Sequence, residues 1–246
     1  MPFTISHAVL AVPLARLSRD RLPVAALAIG CMTPDLIRLI ARDDRNISHQ
    51  WSSILFPDVF IGIAFSLLWY MLYRPYLYKI FAIQDKIVLA NLQVKLRFLG
   101  MSVVAIILGI ITHLLWDGFT HADARTLLFY NQLAQPIHIF GIDTSIHMLV
   151  QLLSSIIPLP IIILMLIRYY RRYGTDSILV NRDAILLNGV IVLLVGCVFL
   201  IETFNTDTLA SDPYHTIGDS IIYFFKGFML ALTTLSLFNQ VQKRIM

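Results

Sequence analysis

Five long stretches without charge, separated by short polar segments, set the pattern of the chain: Val59–Tyr73, Phe98–Trp116, Thr144–Ile167, Ala184–Ile201 and Ser220–Gln242, the last interrupted by Lys226. A helix that crosses a bilayer needs about 20 apolar residues, in a range of roughly 17–25. Four of the stretches reach that range, and Val59–Tyr73 reaches it if Arg74 snorkels and the helix runs on through Pro75 towards Tyr78. Two shorter apolar stretches come first, Met1–Ala15 and Leu22–Pro34, on either side of the basic turn Arg16–Arg21. Each is too short to span by itself and predicts one arm of a helical hairpin. The predicted fold is therefore all-α: a polytopic membrane protein with five long transmembrane helices and a short N-terminal helical hairpin. It reads as a single integral membrane domain, with the hairpin and an outer loop over 1–58 and the five spans over 59–246. Residues 74–97 read as a helical connector and residues 203–218 as a loop.

Composition agrees. Hydrophobic residues make up 58% of the 246 and charged residues 14%, against about 25% charged in an ordinary soluble domain. The net charge of +4 carries no nucleic-acid signal, because its distribution follows the spans. Of the 19 basic residues, 14 fall in residues 16–22, 74–97 and 168–183 and at Lys243 and Arg244. The positive-inside rule puts those segments in the cytoplasm, which leaves the N-terminus outside and the C-terminus inside. Trp69, Tyr70, Tyr73, Tyr76 and Tyr78 fit an aromatic belt at the inner interface. The first residues lack the basic leader and small-residue cleavage site of a signal peptide. Cys31 and Cys197 lie in apolar stretches and read as inert buried thiols.

On that topology all seven histidines, and Asp35, Asp58, Asp117, Asp123 and Asp143, lie at or beyond the outer boundary. The sharpest group is His113-Leu-Leu-Trp-Asp117-Gly-Phe-Thr-His121. Spacings of four drift about 40° per step, so the three side chains share a helix face, with His113 and Asp117 about 6 Å apart along the axis. His121 lies about 12 Å from His113 and reaches the same ion only if the helix ends near Gly118 and the chain curls back. Thr33-Pro34-Asp35 reads as a helix stop followed by a turn, Asp58 as a helix cap, and His7 and His49 as lone histidines on separate segments. Together, four segments bring His7, Asp35, His49, His113, Asp117 and His121 to one membrane face. That set suits a divalent ion, zinc foremost, which in catalytic sites takes about three protein ligands and a water. Asp35 and Asp117 are also the candidate general bases.

At these residues the chain resembles the bacterial domain-of-unknown-function family numbered 4184. The resemblance rests on Met1-Pro-Phe-Thr-Ile-Ser-His7, Gly30-Cys-Met-Thr-Pro-Asp35, Ile47-Ser-His49 and Thr112-His-Leu-Leu-Trp-Asp-Gly-Phe-Thr-His121, and fades to hydropathy beyond His121. The pattern is similar to inner-membrane metal-dependent hydrolases and, more distantly, to zinc-dependent phospholipase C. That second resemblance implies metal ligands at the six residues, with His147 as a later ligand; Gln151 stands where its three-metal pattern has an acid. The implied activity is hydrolysis of a phosphoester or lipid-like substrate at the outer boundary of a bacterial inner membrane. The alternative is a non-enzymatic membrane protein, an ion or proton transporter or a structural partner, for which Lys226 within the last span is the best support.

Overall fold

The computed structural model describes residues 4–41, 47–139, 141–175, 182–204 and 213–245. Arg42, Arg45, Asp207 and Asp212, and the side chain of His215, lie outside this set. The elements are α1 (Thr4–Leu17), α2 (Val24–Leu36), α3 (Trp51–Ile80), α4 (Leu92–Thr120), a short α5 (Tyr130–Leu133), an antiparallel pair β1 (Pro136–Ile139) and β2 (Ile142–Ser145), α6 (Ile146–Tyr173), α7 (Arg182–Thr203) and α8 (Pro213–Ile245). Five of them, α3, α4, α6, α7 and α8, are long and apolar enough to cross a membrane. Their large apolar side chains face outward in number, as at Leu186, Leu194 and Ile201 of α7. Such a surface suits lipid rather than water.

The N-terminal hairpin forms as predicted. Its turn is made by Arg19 and Asp20 at positive φ, and the Ser18 hydroxyl accepts the Leu22 N–H at 3.2 Å. Other boundaries differ from the sequence reading. Pro34 does not stop a helix but lies inside α2, where the Thr33 hydroxyl donates to the Ile29 carbonyl at 2.8 Å. α3 continues past Arg74 to Ile80, and the Arg74 guanidinium is bonded to Asp85 at 2.7 Å and stacked on Tyr78. The connector is not helical over 81–91. Asn91 caps α4 instead, accepting the Val94 N–H at 2.9 Å, so Lys95 and Arg97 belong to that helix. Residues 213–218 of the expected loop begin α8.

The chain divides into two compact units, one of Met1–Ser66 with Val88–Arg168, the other of Leu67–Ile87 with Tyr169–Met246. In the second unit α7 and α8 pack closely: a Cβ on Gly227 would lie 2.6 Å from the Val195 carbonyl oxygen. Lys226 of α8 lies over the Tyr223 ring of its own helix at 4.5 Å.

In the first unit the core is built from α1, α2, the start of α3 and α4, through Ala11, Ala15, Leu27, Val59, Ile106, Ile110 and Leu114. Its tightest contact is backbone against backbone. A Cβ on Gly30 would lie 2.4 Å from the Ile106 oxygen, and one on Gly109 within 2.6 Å of Cys31 N, Gly30 C and Leu27 O. Without a lipid-excluding drive, helices associate through small residues that admit such approach. One turn beyond Gly109 comes His113, and beyond Gly30 come Thr33 and Asp35. The glycine contact thus sets the distance between the polar ends of the two helices.

Candidate metal centre

Beyond that contact the side chains converge. His113 and Asp117, one turn apart on α4, approach to 3.6 Å between Nε2 and Oδ2. His49, from the short turn Ile47–His49, places Nε2 at 3.2 Å from Asp35 Oδ1 and 3.7 Å from Asp117 Oδ2. His7 of α1 stacks on the His113 ring at 4.0 Å between centroids and reaches Asp117 Oδ1 at 3.8 Å. All five are buried, although they come from four stretches of chain.

Most of these separations are too long for hydrogen bonds. They do match the edges of a ligand shell: with metal–ligand distances of about 2.0–2.1 Å, neighbouring tetrahedral donors lie about 3.3–3.4 Å apart. Two overlapping triads, His7–Asp35–His113 and His49–His113–Asp117, could each hold an ion, with their donor atoms within 4.8 Å of one another. His113 belongs to both, and its Nδ1–H donates to the Cys31 carbonyl at 2.8 Å. That bond leaves Nε2 as the free lone pair, the orientation that outer-sphere partners impose on metal-ligating imidazoles. One lone pair serves one ion, so the triads are two ways of holding a single ion rather than two separate sites.

Unsatisfied atoms fit the same group. Among the described residues, both His7 nitrogens, His113 Nε2, His121 Nε2, Asp117 Oδ1 and Arg125 Nη1 are buried without a hydrogen-bond partner. Each such atom costs about 1–3 kcal/mol, and an ion held by these residues would satisfy one His7 nitrogen, His113 Nε2 or Asp117 Oδ1. The Ser48 hydroxyl, 3.1 Å from His49 Nδ1, can accept from that nitrogen and so free Nε2 for an ion.

His121 belongs to neither triad. Helix α4 runs to Thr120, and His121 follows in extended conformation with its N–H on the Asp117 carbonyl. The chain curls back only far enough to bring Nδ1 within 3.7 Å of Asp117 Oδ1. Burial, with Asp117 opposing and Arg125 adding to it, holds the imidazole pKa down to about 4. His121 therefore stands neutral beside the Asp117 carboxylate.

Other expected residues fall elsewhere. Asp58 is buried and accepts the Ser53 hydroxyl at 2.7 Å. His138 pairs with Asp143 at 2.7 Å across the exposed β1–β2 ladder. His147 bonds Ser145. Gln151, in the position where an acid was looked for, donates instead to the Thr120 carbonyl at 3.4 Å. Cys31 is buried beside Thr112 at 3.3 Å, whereas Cys197 is exposed on α7 and is not a buried thiol.

The sequence reading missed Arg125. Its Nη1 lies 3.5 Å from Asp117 Oδ2, and its Nε donates to both Asp123 oxygens at 3.0 and 3.1 Å. Burial opposes ionisation of Asp123, but the bonded guanidinium outweighs it and holds the carboxyl down to about 2. A loop arginine next to an aspartate has the look of a solvated pair, so only the closeness of 123–125 to the His113–His121 motif could have drawn attention to it.

The molecule is thus a polytopic helical membrane protein with a buried histidine–aspartate centre able to hold a metal ion. It belongs to the family of domains of unknown function DUF4184, whose model matches residues 1–237, far beyond His121. No curated protein and no solved structure matches the chain.

Proposed function

We propose that the chain is a membrane-embedded, metal-dependent hydrolase that cleaves an ester bond, a phosphoester foremost, in a lipid-like substrate. The observation that carries the reading is the convergence of His7, Asp35, His49, His113 and Asp117 with buried donor atoms that lack partners. A polar network evolved for packing satisfies its own members, whereas a ligand set leaves lone pairs for the ion. Zinc suits the imidazole and carboxylate donors best.

The chain's own residues divide the work as follows. His49, His113 and Asp117 hold the ion, and the Cys31 carbonyl fixes the His113 tautomer. Asp117, with His49, His113 and Arg125 all within 3.7 Å of Oδ2, serves as the carboxylate ligand. Asp35, whose Oδ1 lies 3.2 Å from His49 Nε2, is then the proton acceptor beside the ion. When bound, the ion supplies Lewis acidity, lowering the pKa of a water from 15.7 to about 7 and polarising the bond to be cut. The proposal includes the orientation set by the basic residues, with the centre at the outer, periplasm-side boundary of a bacterial inner membrane. Lipid head groups reside at that depth.

Elemental analysis of detergent-purified protein supplied with zinc or manganese tests the reading. Wild type should carry about one ion per chain, and the His113→Ala/Asp117→Ala variant none. Hydrolysis of a phosphoester panel should be lost with the ion. If wild type and variant are equally metal-free, the hydrolase reading fails.

A further inference from the structure

The residues that follow α4 form a braced turn rather than a free loop. The Leu127 N–H donates to the Gly118 carbonyl at 2.8 Å, and the Leu127 side chain fills the space where a Cβ on Gly118 would stand, 2.5 Å away. The Thr126 hydroxyl accepts the Asp123 N–H at 3.0 Å and lies 2.6 Å from the His121 carbonyl. Asp123 in turn accepts the Arg125 backbone N–H at 2.9 Å and grips the guanidinium through Nε and Nη2. Only Nη1 is left over. It is buried, has no hydrogen-bond partner, and faces Asp117 Oδ2 at 3.5 Å.

An arginine held on one edge by a carboxylate presents its other edge in a fixed direction. A planar guanidinium matches phosphate oxygens, and the pre-organised fork loses little freedom on binding. Two features argue against a purely structural role. A guanidinium placed only to neutralise Asp117 would close to hydrogen-bond distance, whereas Nη1 stops short of it. Asp123, which holds the other edge, is half-exposed, so the arm stands between solvent and the centre.

We propose that Arg125 is the anion anchor of this site: its Nη1 receives a non-bridging oxygen of an anionic phosphoester whose phosphorus lies at the metal centre, and Asp123 is the positioning residue that aims it. The assignment rests on the hydrolase reading and narrows it. The site selects esters with a negative charge on the group attacked, so phosphomonoesters and phosphodiesters bind and neutral carboxylic esters do not. The anion is either a lipid head group or a soluble phosphoester, since both present the same oxygens.

The test uses full-length protein in detergent, loaded with Mn²⁺, with metal content measured on every sample. Binding of inorganic phosphate and of short-chain phosphatidic acid is read from paramagnetic relaxation of the ³¹P signal. Arg125→Gln should keep its Mn²⁺ and bind both probes about 10- to 100-fold more weakly, the range for losing a hydrogen bond to a charged group. Arg125→Lys should fall between, because it keeps the charge without the fork. Asp123→Asn should weaken phosphate binding with the metal in place, a change that mere loss of a structural contact would not give. Tighter binding of the lipid assigns the anion to a head group, and equal binding assigns it to a soluble ester. Undiminished phosphate binding in metal-loaded Arg125→Gln overturns the anchor and leaves the hydrolase reading standing. Loss of Mn²⁺ from both Arg125 variants makes the residue a structural partner of Asp117 and also overturns it. A wild type that takes up no Mn²⁺ or zinc removes the hydrolase reading itself, and the anchor with it.

Discussion

Replacing Gly109 by alanine should abolish metal uptake although glycine contributes no donor. The added Cβ would meet Cys31 N at 2.5 Å and Gly30 C and Leu27 O at 2.6 Å. All three are backbone atoms of a helix, so no side chain can rotate away. Ordinary contact begins near 3.4 Å, so α2 and α4 must separate by about 0.9 Å. Overpacking of this kind typically costs about 1–3 kcal/mol, which a folded protein can tolerate. The centre cannot, since metal–ligand distances hold to about ±0.2 Å. His113 lies one turn from Gly109, about 6 Å along the axis, and the displacement reaches its Nε2 nearly undiminished. Gly100 on the same helix is the control: nothing lies within 4 Å of its Cβ position, and alanine there should be neutral or stabilise by about 0.5–1 kcal/mol. Elemental analysis and thermal unfolding in detergent should separate the two variants. A Gly109→Ala protein that folds and retains the wild-type metal content refutes the claim that this contact sets the spacing of the donors.

Further outcomes follow from the same geometry. His121 titrates near 4 because of its burial, so between pH 6.5 and 4 only the unfolded chain takes up its proton. The metal-free protein should therefore lose stability as pH falls through that window. His121→Gln should flatten the slope, as read from melting temperature against pH; an unchanged slope would exclude His121 as its source. His138→Ala breaks an exposed pair with Asp143, worth about 0–1 kcal/mol, and should leave both metal content and melting temperature close to wild type. A loss of metal in that variant would show that the centre extends to the β1–β2 ladder.

The parts of this structure that could be read in advance are those where a residue contradicts its surroundings. Four uncharged runs of spanning length, and a fifth completed past Arg74, marked the five spans, and a histidine or aspartate within or at the end of an apolar run, as at His7, Asp35, His113 and Asp117, is costly enough to point to a site. Arg125 was invisible because charge in a loop contradicts nothing. Pro34 misled because the missing N–H usually ends a helix, and here α2 carries on through it. His121 entered the candidate set by its spacing of four and the chance that the chain curls back; the helix ends at Thr120 and His121 comes within 3.7 Å of Asp117. The β1–β2 pair had a visible signal in Ile137-His138-Ile139 followed by Gly141, which turns at φ +80°. The glycine contact between α2 and α4 needs both helices in place before Gly30 and Gly109 can be told from any other glycine.

Every donor of the centre, from His7 to Asp117, and Arg125 beside it, precedes the residues of α6 that brace it. Ser6 donates to the Ser155 carbonyl at 2.6 Å, and Gln151 donates to the Thr120 carbonyl. A ribosome working at about 5–20 residues per second takes roughly one to five seconds to pass from Arg125 to Gln151. For that interval the nascent chain holds a full set of ligands without the helix that fastens His7's neighbour and the end of α4. Because the Ser6 and Gln151 bonds tie the His7 end of α1 and the end of α4 to α6, the cluster described here is complete only once α6 is in place.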